Sequence, residues 1–298
     1  MDAPAKADNG SVAPKFPSEN YSKPGVKIIG EIGINHNGSV QLAKELISIC
    51  HSAGCNYVKF QKRNPDVCVP EAQKTVMRKT PWGEMTYLDY KWKMEFQEEQ
   101  FDEIYTFCKG LGVECFASVW DKDSCDFMAK YSDIAKIPSA LITELDLCSY
   151  ARSKFKYLII STGMSTEEEI DACVDACKPD CIMHTNSTYP CPVGELNLNY
   201  IYRLKAKYPE AEIGYSGHEY GLVTTFATIP MGCSWVERHV TLNREMWGSD
   251  QKASIEPSGV FKLCKGIRDI EQALGEKGQK KRMVTDGELP KRKSLRGV

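Results

Sequence analysis

Two stretches of the sequence, Glu212-Ile213-Gly214-Tyr215-Ser216-Gly217-His218 and Ser234-Trp235-Val236-Glu237-Arg238-His239, are short hydrophobic runs that each end in a histidine. Each run has the length and composition of a buried β-strand. Histidine is the most common protein ligand for divalent metals, so two such strands one helix apart predict a metal site with His218 and His239 as ligands. Taken singly, each histidine is more often a structural residue, and the rest of the chain has to decide between the two interpretations.

Outward from these two stretches, hydrophobic runs alternate with amphipathic helical stretches about eight times. Continuous hydrophobic runs are typical of strands that are buried on both faces in a parallel sheet. Eight strand–helix units in a chain of this length predict an α/β fold of the (β/α)₈ type, the TIM barrel. A doubly wound open sheet is the alternative, but no GxGxxG motif follows the first run. The predicted strands are residues 26–30, 57–60, 113–117, 134–137, 157–160, 181–183, 212–215 and 235–237.

The composition excludes several classes of protein. The 298 residues carry a net charge of -2, with 42% hydrophobic and 26% charged residues, which is typical of a soluble globular protein and does not indicate nucleic-acid binding. No hydrophobic segment approaches the ~18 residues that a membrane span requires. The 13 cysteines are an odd number, mostly within hydrophobic runs, so we expect reduced thiols and a cytoplasmic location. The evenly spaced Cys173, Cys177 and Cys181 are predicted to serve packing rather than metal binding.

The chain divides into three regions. Residues 1–25 are rich in Pro, Ala, Ser, Asn and Lys and predict a disordered N-terminal tail. Residues 26–284 form the predicted barrel, and residues 285–298 are expected to be a basic linker. Within the barrel, the charged and proline-containing stretch at about 63–95 is too long for an ordinary connection, and it predicts a lid insertion over the C-terminal face.

Polar side chains are predicted at the C-terminal end of nearly every strand, which is where barrel enzymes carry their catalytic groups. A lysine inside a hydrophobic strand is costly unless it is paired, so Lys59 and Lys136 predict an anion in the barrel mouth, with serine hydroxyls as further donors. Lysines that extend their ammonium groups to solvent, lysines that form ion pairs within the protein, and a lysine that forms a Schiff base are the alternatives. The strand-end residues are Glu31, Lys59, Gln61, Ser118, Lys136, Ser139, Ser161, Ser187, Tyr189, Ser216, His218 and His239.

Two further residues are open to more than one interpretation. His36 lies in the turn Asn35-His36-Asn37-Gly38, and we favour a structural role for it over a catalytic one. Asp250 lies beyond the last predicted strand, where it is either a solvated loop residue or a carboxylate that binds sugar hydroxyls.

Six motifs in this order resemble those of the sialic acid (N-acetylneuraminate) synthase family, and the resemblance covers residues 26–295. Members of that family are (β/α)₈ barrels that condense phosphoenolpyruvate with an open-chain aldose, typically N-acetylmannosamine, with the help of Mn²⁺ or a substitute such as Mg²⁺ or Co²⁺. The motifs are EIGINHNG at 31–38, VKFQ at 58–61, KIPS at 136–139, STGM at 161–164, YSGH at 215–218 and ERH at 237–239.

The resemblance implies a role for each strand-end residue. His218 and His239 are the implied metal ligands and, with Glu31, the catalytic residues, while Gln61, Tyr189 and Asp250 are implied to bind the sugar. A homodimer is also implied. The residues implied to surround phosphoenolpyruvate are Lys59, Ser118, Lys136, Ser139, Ser161, Ser187 and Ser216.

The sequence also departs from the family pattern. Many members carry a C-terminal antifreeze-like domain that places an arginine over the sugar, and we expect this chain, which ends at Val298, to lack it. Ala140 and Leu141 stand where many members have Gly-Glu, and Gly217 stands where many have Asp. The acceptor is therefore left open among N-acetylmannosamine, a 6-deoxy diacetamido sugar, mannose and a phosphorylated hexose.

Two alternatives to a nonulosonate synthase remain. One is a 3-deoxy-sugar acid synthase of the Kdn or octulosonate type, for which Arg78 and Lys79 in the insertion could bind a phosphate. The other is a barrel that binds ligands without catalysis.

Overall fold

The computed structural model describes residues 25–275 and 281–298. Apart from Gly25, the predicted N-terminal tail lies outside these residues. The predicted linker, residues 285–298, contains a short exposed helix, Leu289–Arg296.

Eight parallel strands close into a barrel, which confirms the predicted fold class. Every predicted strand is present, and several extend one or two residues further toward their C-terminal ends. Around the barrel each strand pairs with the next along the chain, and the last pairs with the first through the parallel register Lys27↔Trp235 to Glu31↔His239. The barrel strands are β1 (Lys27–Gly33), β2 (Tyr57–Lys62), β5 (Glu114–Val119), β6 (Ile134–Ile137), β7 (Tyr157–Ser161), β8 (Cys181–Thr185), β9 (Glu212–Gly217) and β10 (Trp235–His239).

Helices pack around the outside of the barrel through their apolar faces. Local signals set their ends: the Ser39 hydroxyl caps the first helix, which stops at Gly54 in a left-handed conformation. Thr166 and Glu169 form a capping box at the start of another. The helices of this layer are α1 (Val40–Ala53), α5 (Glu98–Leu111), α6 (Lys122–Met128), α7 (Leu145–Lys154), α8 (Glu167–Cys177), α9 (Tyr200–Lys207), α10 (Val223–Thr228) and α11 (Pro257–Leu274).

The barrel interior is closed at its N-terminal end by a layer of large apolar side chains. Trp235 is fully buried, and its ring lies 5.1 Å from that of Tyr57 and 5.4 Å from that of Tyr157, centroid to centroid. Its indole N–H donates to the Tyr157 hydroxyl at 2.9 Å, so the polar atom of the ring is satisfied. The side chains of this floor are Ile29, Tyr57, Phe116, Ile134, Tyr157, Ile159, Cys181, Met183 and Trp235.

The insertion that follows β2 folds into short elements of its own. They are α2 (Pro65–Cys68), α3 (Glu71–Lys74), the antiparallel hairpin β3 (Met77–Thr80) and β4 (Gly83–Thr86), and α4 (Tyr87–Met94). Trp82 at the hairpin turn packs edge-on against Trp247, at 5.6 Å between ring centroids, and Trp247 in turn packs against Tyr90 at 5.2 Å. Aromatic contacts therefore fasten the insertion to the loop after β10, beside the C-terminal mouth of the barrel.

Among the helices of residues 25–275 and 281–298, none combines the length and the apolar composition that crossing a bilayer would need. Every one of the 13 cysteines is a free thiol, and all but the half-buried Cys68 are buried. Cys173 and Cys177 lie 3.9 Å apart, sulfur to sulfur, on α8.

Candidate active site

A cavity of about 280 Å³ opens at the C-terminal ends of the barrel strands. All thirteen side chains that the sequence singled out line it, although they come from strands and loops spread over more than 200 residues. The fold thus gathers every predicted site residue into one place. They are Glu31, Lys59, Gln61, Ser118, Lys136, Ser139, Ser161, Ser187, Tyr189, Ser216, His218, His239 and Asp250.

The alternation of side chains along each strand explains this convergence. On β10, Trp235, Glu237 and His239 point into the barrel because successive side chains face opposite ways. Trp235 belongs to the apolar floor, and Glu237 and His239 lie above it in the cavity. The same step of two residues takes β2 from Tyr57 in the floor to Lys59 in the cavity.

The two buried lysines share one carboxylate, that of Glu237. Lys136 Nζ lies 3.0 Å and Lys59 Nζ 3.6 Å from Glu237 Oε1, and Lys59 Nζ also lies 2.7 Å from Glu31 Oε2. All four side chains are almost fully buried. The lysines are therefore ion-paired within the protein, the alternative that the sequence left open, and they also line the cavity.

Burial and these charges set the protonation of the cluster. Burial raises the pKa of Glu31 to about 7, although the nearby Lys59 ammonium opposes this. Burial acts the same way on Glu237, but the Lys136 and Lys59 ammonium groups outweigh it and lower that pKa to about 2. Glu237 is thus the permanent anion of the cluster, whereas Glu31 exists in both forms near neutral pH.

Hydroxyl groups extend the cluster toward the mouth. Ser118 Oγ accepts a hydrogen bond from Lys59 Nζ at 2.9 Å, and Ser216 Oγ donates to Glu237 Oε1 at 3.2 Å. Ser139 Oγ accepts from the backbone N–H of Gly163 at 3.0 Å. A Cβ on Gly163 would lie 2.9 Å from Ser139 Oγ and 2.1 Å from Ser187 Oγ, so only glycine lets these two hydroxyls converge over β7.

The two predicted metal ligands lie side by side. The His218 and His239 ring centroids are 5.2 Å apart, and Tyr189 stacks on His218 at 4.0 Å. His218 Nδ1 lies 2.6 Å from the Asn186 carbonyl oxygen, and since a carbonyl can only accept, Nδ1 carries the proton and Nε2 keeps its lone pair. His239 Nδ1 is buried without a hydrogen-bond partner, 3.8 Å from Asp250 Oδ2.

These histidines fit a divalent metal as a pair of ligands. Burial lowers the pKa of both His218 and His239 to about 3, so both imidazoles are neutral and able to donate a lone pair. Within the described residues, no group of three or more His, Cys, Asp or Glu side chains has an arrangement suited to a metal. A metal held here would therefore have two protein ligands and open positions for water and substrate.

The residues implied to bind the sugar lie at the outer part of the cavity. Asp250 Oδ1 accepts from the Ser249 hydroxyl at 2.6 Å, and Tyr189 packs edge-on against His239 at 5.7 Å between ring centroids. Gln61 accepts a hydrogen bond from Arg63 through its side-chain oxygen. These three residues thus adjoin the histidines on one side and the insertion on the other.

His36 and Gly217 have structural roles. His36 is buried outside the residues that line the cavity, stacks on Phe96 at 4.1 Å and accepts a hydrogen bond at Nδ1 from the Gly38 N–H. A Cβ on Gly217 would lie 2.6 Å from Glu219 Oε2, which leaves no room for the aspartate that many family members carry there.

Sequence reasoning missed three charged residues of the cavity. Glu237 stands two positions before His239, so the period of two along β10 could have identified it. Arg63 and Lys91 come from the insertion and line the cavity from outside the barrel. No spacing along the chain indicates that these two meet the strand-end residues.

Comparisons with known proteins identify the family of the chain. Residues 46–279 match the model of the NeuB family. The chain is 33% identical over 84% of its length to N,N'-diacetyllegionaminic acid synthase of Campylobacter jejuni, covering 77% of that protein. It is 34% identical over 83% of its length to N-acetylneuraminate-9-phosphate synthase of Drosophila melanogaster, covering 68% of that protein.

Among solved structures, the N-acetylneuraminic acid synthetase of Leptospira borgpetersenii superposes with a TM-score of 0.80 and 28% sequence identity, covering 92% of this chain and 93% of that one. The resemblance to the sialic acid synthase family is thereby confirmed, and with it the prediction that the chain is an enzyme. By its sequence, its closed barrel and the similarity of both to these synthases, the chain belongs to the NeuB family.

Proposed function

We propose that this enzyme condenses phosphoenolpyruvate with an open-chain, N-acetylmannosamine-like aldose to form a nonulosonic acid, with release of phosphate. The observation that carries the proposal is the single cavity in which two buried lysines, a ring of hydroxyls and two neutral histidines meet. The related synthases of legionaminic and N-acetylneuraminic acid support this class of product.

Phosphoenolpyruvate would occupy the inner part of the cavity. Lys59 and Lys136 supply positive charge, only part of which Glu237 neutralises, because Glu31 is not fully ionised near pH 7. Hydroxyls can donate to the remaining oxygens of a phosphate or carboxylate. The residues proposed to bind it are Lys59, Ser118, Lys136, Ser139, Ser161, Ser187 and Ser216.

His218 and His239 would hold a divalent cation, with Mn²⁺ as the proposed metal and Mg²⁺ or Co²⁺ as substitutes. When bound, such a cation acts as a Lewis acid that polarises the aldehyde oxygen. The protein's own contribution is to keep both imidazoles neutral and to fix the His218 tautomer through the Asn186 carbonyl. Gln61, Tyr189 and Asp250 would orient the sugar so that its aldehyde carbon faces the enol carbon.

The proposed reaction forms one carbon–carbon bond and breaks one carbon–oxygen bond. The enol carbon adds to the aldehyde carbon, water adds to the carbon that bears the phosphate, and phosphate leaves as the ketone forms. Glu31 is proposed to take the proton from this water. A pKa near 7 suits a group that has to accept and return a proton at neutral pH.

A phosphorylated aldose is the second candidate for the acceptor. Arg78 and Lys79 are exposed on β3 and are not among the residues that line the cavity. Arg63 and Lys91 do line it, and they place positive charge at its outer end. The similarity to the Drosophila 9-phosphate synthase also favours this candidate.

The experiment is an acceptor screen that reads phosphate release and product mass. We expect release only when phosphoenolpyruvate is supplied together with an aldose from a panel of N-acetylmannosamine, its 6-phosphate and mannose. A chelator should abolish the release and Mn²⁺ should restore it. Release that persists in the chelator contradicts the proposed role of a metal, and no release with any acceptor contradicts the proposed function.

The metal ligands are tested separately by calorimetry. His218→Ala and His239→Ala should each weaken Mn²⁺ binding by about 100-fold or more, because only two protein ligands are present and each loss halves the set. His51→Ala removes an exposed histidine at the end of α1 and serves as the matched control. Unchanged Mn²⁺ affinity in either ligand variant contradicts the assignment.

A further inference from the structure

The two ends of the insertion are joined by a buried ion pair. Arg63 follows β2 and Glu95 follows α4, and the two side chains are each only 6% exposed. Arg63 Nε lies 2.8 Å from Glu95 Oε1, and the Arg63 backbone N–H donates to Glu95 Oε2 at 3.2 Å. The guanidinium also lies over the Trp120 ring, with 4.4 Å between Cζ and the centroid. Carboxylate and indole together leave the arginine little freedom to move.

The other end of this guanidinium reaches into the cavity. Its Nη2 donates to Gln61 Oε1. Arginine has only donors, so the atom of Gln61 that faces it must be the oxygen, and the amide nitrogen must point elsewhere. Gln61 Nε2 and Glu31 Oε1 lie 3.3 Å and 3.0 Å from the point that a Cβ on Gly33 would occupy. Both atoms border the space beside Gly33, and Gln61 lines the cavity, so its N–H groups, which face away from the guanidinium, are the atoms that it can offer to a ligand there.

We propose that Arg63, held by Glu95, is a positioning residue that fixes Gln61 as a hydrogen-bond donor to an oxygen of the acceptor sugar. Because the same arginine joins the two ends of the insertion, it couples the position of the lid to the orientation of a sugar-binding side chain. The inference rests on the proposed function, since it takes the aldose to bind beside Gln61. It assigns no contact between Arg63 and phosphoenolpyruvate.

Steady-state kinetics of three variants test the parts of this proposal, and a fourth variant serves as the control. Gln61→Glu keeps an oxygen for Arg63 but replaces the N–H donors by a second acceptor, so the KM for the aldose should rise about 10- to 100-fold. Arg63→Met frees the amide and should raise the same KM about 10-fold or more. Arg63→Lys can pair with Glu95 or reach Gln61 but cannot do both, and its KM should lie between those of wild type and Arg63→Met. In all three the KM for phosphoenolpyruvate should stay within about twofold of wild type.

Lys62→Met is the matched control. Lys62 Nζ lies 3.9 Å from Glu95 Oε2 and donates to the Phe96 carbonyl at 2.8 Å, so this variant removes a cation from the same carboxylate without removing the donor to Gln61. Its aldose KM should match that of wild type. A Gln61→Glu enzyme with an unchanged aldose KM, or a Lys62→Met enzyme that behaves like Arg63→Met, overturns the proposal.

Hydrogen exchange tests the lid without any substrate. Backbone amides of residues 64–94 should exchange about tenfold faster in Arg63→Met and Glu95→Gln than in wild type. Arg63→Lys should be intermediate, and Lys62→Met should stay close to wild type. Equal exchange in wild type and Arg63→Met overturns the coupling to the lid.

If no acceptor in the panel is turned over, the proposed function fails, and the orientation of Gln61 is then tested by NMR of its side-chain amide. That resonance, identified by its loss in Gln61→Glu, should shift in Arg63→Met and stay in place in Lys62→Met. A resonance that does not respond to Arg63→Met overturns the orientation independently of turnover.

Discussion

Glu237 compensates two buried ammonium groups, and its loss is the sharpest residue-level test of the cavity. Removing one partner of a buried ion pair leaves an uncompensated charge, so Glu237→Gln should lower the free energy of unfolding by about 3–5 kcal/mol. Urea denaturation measures this. If Lys59 and Lys136 also bind phosphoenolpyruvate, that trianion should supply the missing negative charge and raise the melting temperature of the variant more than that of wild type.

Glu31→Gln is the control for this prediction. Because the pKa of Glu31 is raised to about 7, the folded protein already holds much of this carboxyl in its neutral form, and the amide should cost far less stability. Equal losses in the two variants would show that Glu237 is not the principal counter-charge.

At the scale of single residues, most side chains of the cavity could be predicted from the sequence, but the ion pairs among them could not. His218 and His239 can be predicted because each ends a hydrophobic run, and Lys59 and Lys136 because each is flanked by apolar residues inside one. Glu237 is followed by Arg238 and His239, so its run does not mark it as a charge buried among apolar residues. Arg63 escaped because its partner Glu95 is 32 residues away, across an insertion whose fold no local pattern encodes.

At the scale of elements, the turn after β7 brings two serines of different loops together over Gly163. Gly163→Ala would place a methyl group 2.1 Å from Ser187 Oγ, so the hydroxyls have to separate. We expect the KM for phosphoenolpyruvate to rise about tenfold or more, because the two displaced hydroxyls would lose one or two hydrogen bonds to the charged ligand. Gly194→Ala, where a Cβ meets nothing within 4 Å, is the matched control and should leave the KM unchanged.

Helices α8 and α9 are joined by an ion cluster that should respond to acid. Arg203 donates twice to Glu167, at 2.8 and 2.7 Å, and Lys207 Nζ donates to it at 2.7 Å. These hydrogen bonds lower the pKa of Glu167 from 4.5 to about 2. The Glu167 carboxyl thus holds its proton less tightly in the folded state than in the unfolded state. Its contribution to the free energy of unfolding is therefore complete above about pH 4.5 and is lost as the pH falls toward 2.

Glu167→Gln should therefore lose less stability than wild type between pH 5 and 3, as measured by urea midpoints across that range. The effect should be small and should shrink in high salt, because the cluster is at the surface. Glu168→Gln removes the same charge from the same turn of α8 and should follow the wild-type pH dependence. A Glu167→Gln variant that also follows the wild-type pH dependence would show that the Glu167 ion cluster does not cause the loss of stability in acid.

All eight barrel strands could be predicted because strands that are buried on both faces are uniformly hydrophobic. The C-terminal end was predicted correctly only for β6, Ile134–Ile137, and the other seven strands extend further. β2 continues through Gln61 and Lys62, and β9 through Ser216 and Gly217, because these polar residues face the cavity or pair with neighbours while the backbone ladder continues. The hairpin of β3 and β4 was also missed, since its side chains are mostly exposed and carry no hydrophobic alternation.

At the scale of the whole molecule, the aromatic floor should supply stability and not chemistry. Trp235→Ala removes the largest fully buried side chain and leaves a cavity between Tyr57 and Tyr157, so we expect a loss of about 3–5 kcal/mol in the free energy of unfolding. The KM values should stay near those of wild type at temperatures where the variant is folded. Trp92→Ala, at a 37% exposed position on α4, should cost about 1 kcal/mol or less.

The same floor leaves the barrel open at one end only. A molecule resting on Lys59 and Lys136 would lie below a molecule that contacts Tyr189 and Asp250, so the deeper molecule could neither enter nor leave while the outer one is bound. The two reactants should therefore load in a compulsory order, with the deeper one first. In initial-rate studies, an unreactive analogue of the sugar should act as an uncompetitive inhibitor toward phosphoenolpyruvate, whereas an analogue of phosphoenolpyruvate should compete with it directly.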